Sequence, residues 1–568
     1  MFSFAKSKLT NTHIMKKLAL LSLLITLVFT SYSQSQRMVM LEHFTQASCG
    51  PCATANPTIH TTLMNNQDIM TSINFHTSWP GYDPMYLHNP TDPSARVSYY
   101  NINAVPHSVI DGNIFSGYPI PGWTNMVLVN QRAQVPSPFT LSVNQHFSAD
   151  NDSLYVTMLV AATDTCTGPI SAFMGVIEKY IHFNSPPGSN GEKDFYNVLK
   201  KMLPTKSGVA LPTPLYTGDY VILESAWELA NVYNNDQLSV VSYIQNPTSK
   251  EIHQAANLMT VPMTAVYNND VEEMELQNVI DRYCENTLYP KIRIRNNGNN
   301  DLLNLTIQYQ VNDEEIQTYN WNGNMNFLDK SVIELPELTF EMQETNMLKV
   351  YIHQVNGTND EYTSNDTLTK VFYPAYEAGH DLQLKIRTDN APEEITWEIK
   401  NEAGETVSSG GPYTEAGVLF TENINIEEVG CYKFYIYDAG GNGICCGNGA
   451  GFFRLAPSTG NPVIAQGTIF GDMLSSQFDV INIGVNDIDI SAGLRVYPNP
   501  AGDRFFIEAS NSNVYKITVA NQIGQTVYHS SFTGNKTEIE TSGLPNGLYL
   551  VRLESIDGLS VQKLHILK

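Results

Sequence analysis

Residues 37–52 read RMVMLEHFTQASCGPC, and residues 53–66 continue with ATANPTIHTTLMNN. The apolar run from Met38 to Phe44 predicts a buried strand, and the segment after the cysteines predicts a helix. Cys49 then lies at the helix N-terminus, where unpaired N–H groups and the helix dipole stabilise a thiolate. Cys52 lies one turn further along, within reach to resolve a mixed disulfide. The segment therefore predicts a redox-competent cysteine pair on a strand–helix unit.

Three features around this pair resemble the thioredoxin family. The first is the CGPC tetrapeptide, and the second is Pro57, five residues after it, where thioredoxins carry a helix-kinking proline. The third is YYNINAVPHSVIDGN (99–113), in which Pro106 matches the family's cis-proline beside the active-site cysteines. The stretch GWTNMVLVNQRAQ (122–134) is expected to supply a final helix. The resemblance implies an α/β thioredoxin-like fold for residues 34–134.

The resemblance also implies roles for these residues. Cys49 is the expected nucleophile, Cys52 the resolving thiol, and Pro106 a substrate-positioning element beside which an extended peptide pairs. We favour a redox-active Cys49–Cys52 disulfide over a purely structural one, because the small ring that a CxxC disulfide closes is usually reducible. Metal binding by the two thiolates with His76 or His107 is a third interpretation, but the chain has one CxxC and no spaced histidine pair.

Three departures from the thioredoxin pattern bear on the chemistry. Ser48 replaces the tryptophan that usually precedes the first cysteine, and His43 replaces the buried aspartate that relays a proton. His43 is either a proton acceptor for Cys52, because a histidine titrates near neutral pH, or a buried histidine that only packs. The third departure is an insertion rich in proline and aromatic residues, HTSWPGYDPMYLHNPTDPSA (76–95). This insertion is a candidate lid or substrate groove over the thiols.

The next region alternates apolar and polar residues in short runs such as FTLSVNQHF and LSVVSYIQN, which predicts an antiparallel β domain over residues 135–262. One helix is expected inside it, at NGEKDFYNVLKKMLP (190–204). Together with EHFTQASCGPC (42–52) and VVSYIQNPTSKEIHQAANL (240–258), that stretch resembles a family of Bacteroidota outer-membrane-associated proteins. The resemblance implies that a thioredoxin-like domain and a β domain belong together, and it implies no particular reaction.

Two further β modules are expected. Residues 263–375 carry alternating runs such as LTIQYQVND and predict an immunoglobulin-like sandwich. Residues 376–484 contain CYKFYIYDAGGNGICCGNGAGFFRL (431–455), which resembles a β-sandwich module found beside secreted bacterial proteases and in other surface proteins. In this module Trp397 and Tyr413 are either a glycan-binding platform or part of the core.

The glycine-rich loop of this module concentrates three of the seven cysteines. Cys431 is expected to bridge to Cys445 or Cys446, because an adjacent cysteine pair cannot easily bond to itself. Asp438 and Asn442 are weak candidates for a calcium site, with a metal-free loop as the alternative, and no other cofactor is predicted. Because seven is an odd number, at least one cysteine must stay outside a disulfide, and we expect it to be Cys445 or Cys446.

The sequence assigns no disulfide partner to Cys166 or Cys284, which lie outside these motifs. They either pair with each other across modules or remain buried and free.

Residues 485–568 carry the second strong motif set, VYPNP (496–500) and LPNGLYLVRL (544–553). Short alternating strands with turns predict a small antiparallel sandwich. The set resembles the type A C-terminal sorting domain of the type IX secretion system. The resemblance implies export across both membranes by the Sec and type IX machineries, and release or attachment at the cell surface.

The opposite end of the chain predicts a secretory signal peptide over residues 1–33. Lys16 and Lys17 precede a 12-residue apolar run, and small residues follow it. That run is shorter than the roughly 20 residues that span a bilayer, and no later stretch reaches this length, so no transmembrane helix is expected. The formal net charge of −25 disfavours nucleic-acid binding, because an acidic surface repels phosphates.

The leading hypothesis is a secreted or surface-bound thiol–disulfide oxidoreductase that acts on thiols or disulfides of proteins and peptides. The alternative is a surface adhesin or scaffold in which the thioredoxin-like domain is catalytically degenerate. The chain contains no GxSxG or HExxH motif, which disfavours a hydrolase.

Overall fold

The computed structural model describes residues 35–118, 126–259, 262–482, 495–555 and 558–568. The predicted signal peptide lies outside these residues. The protein has several domains and is mostly β, with its strands distributed over eight sheets in the described residues. Within the described residues, no helix is long and apolar enough to cross a membrane.

The N-terminal module builds a strand–helix–strand unit around the CGPC segment. Its strands are β1 (Val39–Thr45), β2 (Met70–His76), β3 (His107–Ile110) and β4 (Phe115–Gly117). Its helices are α1 (Gly50–Met64), α2 (Pro84–His88), α3 (Thr91–Tyr100) and α4 (Val127–Ala133). Strand β1 pairs in parallel with β2 and antiparallel with β3, and β4 continues the sheet beyond β3.

Strand β1 is buried along its whole length because both faces of the sheet are covered. On one face, Val39 and Leu41 pack against Ile59 and Leu63 of α1. On the other face, β1 shares a core with Tyr100 of α3. Two-sided burial therefore explains the apolar run that predicted this strand. The helix expected within residues 122–134 is α4, which covers Val127–Ala133.

The chain then adds eight more strands to the same module. They are β5 (Phe139–Phe147), β6 (Ser153–Ala162), β7 (Ser171–His182), β8 (Asp194–Leu203), β9 (Val209–Ala210), β10 (Tyr220–Glu228), β11 (Leu238–Gln245) and β12 (Ile252–Asn257). A short 3₁₀ helix covers Asn235–Gln237.

One sheet runs through both halves of this region, in the order β12-β11-β7-β8-β2-β1-β3-β4 with β9 on β7. The join is the parallel pairing of β2 with β8, at Asn74 and Val198. A second sheet, β10-β6-β5, packs its apolar side chains against this sheet. The boundary expected between residues 134 and 135 therefore does not separate two sheets.

The helix predicted at residues 190–204 is wrong. Residues Asp194–Leu203 form β8, which pairs antiparallel with β7 along nearly its whole length. The misleading signal was the spacing of Phe195, Val198, Leu199 and Met202, which fits one face of a helix. All four are buried, and tertiary pairing outweighed the local periodicity.

The module after residue 262 is a sandwich of short strands. They are β13 (Val271–Gln277), β14 (Arg282–Tyr283), β15 (Thr287–Leu288), β16 (Lys291–Asn296), β17 (Leu302–Val311), β18 (Gln317–Met325), β19 (Lys330–Glu334), β20 (Leu338–Thr339), β21 (Asn346–Val355) and β22 (Thr367–Pro374). Its main sheets are β13-β16-β19 and β14-β22-β21-β17-β18, and they enclose one core. A 3₁₀ turn at Thr363–Asn365 precedes β22.

The following module is a second sandwich. Its strands are β23 (Tyr376–Ala378), β24 (Asp381–Arg387), β25 (Ile395–Lys400), β26 (Thr406–Gly410), β27 (Leu419–Asn425), β28 (Gly430–Asp438), β29 (Phe452–Pro457), β30 (Ala465–Gly467) and β31 (Met473–Val480). A 3₁₀ turn covers Pro392–Glu394. The two sheets are β23-β31-β28-β25-β26 and β27-β24-β29-β30. Trp397 and Tyr413 are buried in the core, where the indole N–H donates to the tyrosine oxygen at 2.9 Å. The pair therefore belongs to the core and does not form an exposed glycan-binding platform.

The predicted partner of Cys431 is also wrong. Cys431 is joined to Cys284, 147 residues away in sequence, and Cys445 is joined to Cys446. Cys284 follows β14, whose chain passes beside β31, and its N–H donates to Gln477 of that strand at 3.1 Å. The bridge therefore links the two sandwich modules, and Cys166 is the cysteine outside any disulfide in the described residues.

The C-terminal module is a five-stranded antiparallel sheet with its own core. Its strands are β32 (Arg495–Tyr497), β33 (Arg504–Asn521), β34 (Thr526–Glu540), β35 (Gly547–Ser555) and β36 (Gly558–Ile566). Their order is β32-β33-β35-β36, with β34 on β33.

Candidate functional site

The CGPC segment starts helix α1, as its sequence predicts. Cys49 is the N-cap residue, and its sulfur accepts the N–H of Cys52 at 3.1 Å. Pro51 occupies the first turn, where a missing N–H costs nothing. Cys49 and Cys52 are joined in a disulfide. This arrangement places one sulfur at the positive end of the helix dipole.

Pro106 lies beside the disulfide. The Val105–Pro106 peptide bond is cis, and the Val105 carbonyl oxygen is 3.5 Å from the Cys49 sulfur. Pro106 directly precedes β3, the strand that pairs with β1. The sheet thus brings the CGPC segment and the Pro106 segment together, although Pro106 comes 54 positions after Cys52 in the sequence.

His43 is fully buried on β1, and side chains hold both of its ring nitrogens. Nδ1 is 2.9 Å from the Ser108 hydroxyl, and Nε2 is 3.0 Å from the Asn56 carbonyl oxygen. Burial lowers the pKa of His43 to about 4, so the imidazole is neutral at physiological pH. The two side chains that hold this histidine belong to β3 and α1, so it links that strand to that helix.

Both cysteines are inaccessible in the folded chain. Cys49 is 3% exposed and Cys52 is 0% exposed. Two segments contact the chain around them: part of the predicted insertion, and residues 183–193 between β7 and β8, which we call the covering loop. The Ser48 hydroxyl donates to the Tyr82 carbonyl of the insertion at 2.8 Å and accepts the Ser189 N–H of the covering loop at 3.1 Å.

The covering loop is attached to the CGPC turn at several further points. The Asn190 side-chain amide donates to the Cys49 carbonyl at 3.2 Å, and its backbone N–H donates to Ala47. Gly188 approaches so closely that an added Cβ would lie 2.1 Å from the Ala47 carbonyl oxygen. Only glycine fits at this contact, so a larger residue here would push the loop away from Ala47.

Glu192 extends the same network toward His43. Its two carboxylate oxygens accept from the side-chain amides of Asn56, at 2.8 Å, and Asn190, at 2.7 Å. Burial raises the pKa of Glu192. Sequence reasoning missed Glu192 and Asn190 because they lie in the stretch that was predicted to be helical. Asn56 could have been found, since it lies one turn beyond Cys52 on α1.

The histidines of the metal hypothesis have other partners. His76 Nδ1 is 2.7 Å from Asp83, which also caps α2, and His107 Nε2 is 2.9 Å from Ser116. Among the described residues, no three His, Cys, Asp or Glu side chains are arranged to hold a metal ion.

Asp438 and Asn442, the calcium candidates of the glycine-rich loop, are joined by a hydrogen bond that the Asn442 backbone N–H donates. One Asp438 oxygen accepts the backbone N–H groups of Asn442 and Gly443, each at 2.8 Å, and the other is buried without a hydrogen-bond partner. This contact uses the Asn442 backbone and neither supports nor excludes a cation, so calcium binding at this loop stays a prediction.

We expect that a Gly188→Val substitution will displace the covering loop. Overpacking of this kind costs about 1–3 kcal/mol, which raises the ratio of displaced to docked loop roughly fivefold or more. After reduction, Cys49 should react with iodoacetamide about ten times faster than in the unsubstituted protein, as followed by mass spectrometry.

Ser185→Ala is the matched control for this prediction, because Ser185 is an exposed residue of the same loop. Equal alkylation rates for Gly188→Val and the unsubstituted protein would show that the covering loop does not limit access to the sulfur.

The C-terminal module matches a known family. Residues 495–567 match the model of the secretion system C-terminal sorting domain. An endo-acting ulvan lyase of Formosa agariphila is 30% identical over 80 residues, which is 14% of this chain and 16% of that protein. The chain thus spans about a sixth of the length of this curated relative.

Similarity to solved structures is low throughout. HBP35 of Porphyromonas gingivalis is 12% identical, over 60% of this chain and 99% of that chain, with a TM-score of 0.34. The Bacteroides ovatus protein SGBP-B is 14% identical, over 53% of this chain and 71% of that chain, with a TM-score of 0.14. Such scores define neither a fold nor a function. What is established is the route of the chain: its sorting domain directs it through type IX secretion to the cell surface or the exterior.

Proposed function

We propose that this chain is a cell-surface binding or scaffold protein in which the CGPC disulfide is a closed structural element. The observation that carries the proposal is the burial of both sulfurs, with exposures of 3% and 0%, in a chain that carries a surface-sorting domain. In this arrangement Cys49 offers almost no surface to a protein substrate. A buried disulfide of this kind stabilises its module and performs no exchange.

The β modules supply the binding surface in this proposal. Residues 263–482 form two sandwiches joined by the Cys284–Cys431 bridge. Aromatic residues of neighbouring modules also pack together, since Tyr220 of β10 contacts Tyr267 and Tyr362. Such joints hold successive modules in a defined orientation, which suits a scaffold that presents a surface away from the cell.

The test uses the exported full-length chain in solid-phase binding to matrix proteins and glycans. A Cys49→Ser/Cys52→Ser double variant should bind within about twofold of the unsubstituted protein, and Cys166→Ser serves as the control. Absence of binding to every surface tested would contradict the proposal, as would binding that depends on the cysteine pair.

Thiol–disulfide exchange is the second candidate function, and a specific observation favours it. Cys49 caps a helix, and its sulfur lies 3.5 Å from the carbonyl oxygen of Val105, which precedes Pro106. In this reaction the Cys49 thiolate attacks a substrate disulfide, and Cys52 displaces the product thiol. The substrate gains two electrons and the pair closes to a disulfide, so an external thiol must reduce it again.

Insulin reduction with dithiothreitol as the external thiol separates the two candidates. Under the first proposal, the unsubstituted protein and Cys49→Ser give the same rate. A rate that is at least tenfold above Cys49→Ser would establish exchange and overturn the structural role of the disulfide.

A further inference from the structure

A cavity of about 390 Å³ opens where the end of α1 meets strands β2, β7, β8 and β11 and the end of β12. It exists because β2 and β8 pair only at Asn74 and Val198, so the ladder between them stops early. Side chains bridge the gap instead: Asn197 donates to the Ser72 hydroxyl at 2.8 Å, and Asn74 donates to the Tyr196 carbonyl at 2.6 Å. We call this cavity the aromatic cleft.

Three stacked rings form one wall of the aromatic cleft. The Tyr196 ring lies between His60, at a centroid distance of 3.5 Å, and Tyr180, at 5.5 Å. Tyr180 is 40% exposed, and its hydroxyl donates to Asp194 at 2.6 Å, which fixes the ring. A rigid, partly exposed aromatic ring offers a flat apolar surface with little loss of side-chain entropy on binding.

The rest of the wall combines apolar side chains with uncharged polar groups, and it is nearly free of charge. Gln67 and Gln237 contribute side-chain amides, and each amide group both donates and accepts hydrogen bonds. No aspartate or glutamate lines the cleft, although the chain carries 57 of them. Lys179 is the lysine of the lining. Burial lowers the pKa of His60, so that this ring stays neutral.

We propose that the aromatic cleft binds a carbohydrate, with one sugar ring stacked on Tyr180 and its hydroxyl groups paired with the amides. Sugars present an apolar C–H face and hydroxyls that both donate and accept, which is the combination that this wall complements. Lys179 favours a sugar that carries a carboxylate, because it supplies a positive charge to a lining that contains no aspartate or glutamate. The inference rests on the proposed surface-binding function and gives it a site and a ligand class.

The experiment applies the exported full-length chain to an array of neutral and uronic-acid-containing oligosaccharides, followed by calorimetric titration of the best binder. Tyr180→Ala should weaken binding at least tenfold. Lys179→Gln should weaken binding of uronic-acid oligosaccharides at least threefold and leave neutral ones within twofold. Circular dichroism and the unfolding temperature report whether each variant is folded.

Tyr155→Ala is the matched control, because Tyr155 lies on β6, is 42% exposed and stacks on His146 at 5.1 Å. Its binding should stay within twofold of the unsubstituted protein. Equal weakening by Tyr155→Ala and Tyr180→Ala would overturn the site. Binding to matrix proteins without binding to any oligosaccharide overturns the inference and leaves the surface function standing, whereas binding to nothing overturns both.

Discussion

Raising the pH from 6 to 9 will destabilise the module at residues 263–375, and Glu273→Gln will remove a large part of that loss. Glu273 is 4% exposed; one of its carboxylate oxygens accepts the Leu368 N–H at 2.9 Å, and the other is buried without a hydrogen-bond partner. Burial raises the pKa of Glu273 to about 9. The folded module therefore holds this side chain protonated at neutral pH.

Neighbouring carboxylates act in the same direction. Burial raises the pKa of Asp270 to about 7 and that of Asp366 to about 8. The nearby Asp360 carboxylate contributes to both of these pKa shifts. Asp270 accepts from the Tyr220 hydroxyl at 2.7 Å, which ties this group to the preceding module.

The sign of the effect follows from the direction of these shifts. Each folded-state pKa lies above the ordinary carboxyl value of roughly 4, so the folded chain keeps protons that the unfolded chain has released. The stabilisation is complete below that ordinary value and is lost as the pH rises through 7 to 9. One strongly shifted group contributes on the order of several kcal/mol.

Differential scanning calorimetry at pH 6, 7.5 and 9 measures this loss. The unfolding temperature of the module in the unsubstituted protein should fall by roughly 10 °C or more over this range. In the Glu273→Gln variant the unfolding temperature should fall clearly less. Glu275→Gln is the matched control, because Glu275 is exposed on the same strand. Parallel declines in all three proteins would contradict a role for the buried carboxylate.

Removal of the Cys284–Cys431 bridge will produce the second large effect. The bridge closes a loop of 147 residues across the junction of the two sandwich modules. Long loops lose the most conformational entropy when they are closed, so a Cys284→Ser/Cys431→Ser variant should lose about 2–5 kcal/mol of stability. The junction retains the Lys433–Glu285 ion pair at 3.2 Å, which is partly exposed and contributes little by comparison.

Calorimetry of the full chain under non-reducing conditions checks this prediction, with peptide mapping to confirm the pairing. A Cys445→Ser/Cys446→Ser variant is the control, since that bridge joins adjacent residues and closes almost no loop. Equal destabilisation by the two double variants would show that loop closure does not explain the effect of the 284–431 bridge.

Features that depend on a few neighbouring residues could be predicted from the sequence. The apolar run before the CGPC motif forms β1, and Cys49 caps α1 with its sulfur on the Cys52 N–H. The sorting module also follows from local strand and turn signals, and its family match begins at Arg495. In each case the determining contacts lie within one strand, one turn or one short module.

Features that depend on distant partners could not be predicted. Residues 194–203 have helical spacing but become a strand because β7 and β2 lie on either side of them. Glu192 reaches the site only because the β7–β8 connection folds back over α1. The partner of Cys431 was hidden for the same reason, since no local pattern reports which strand of another module passes beside it.

The sequence by itself determined that the chain carries a sorting domain, a capped cysteine pair and a series of β modules. These properties come from periodicity, turn residues and short motifs, which act over a few residues. Only the tertiary structure decided that the cysteine pair is buried, that one sheet joins the first two regions, and that a cleft opens between β2 and β8. The physical reason is that burial and strand pairing depend on segments more than a hundred residues apart.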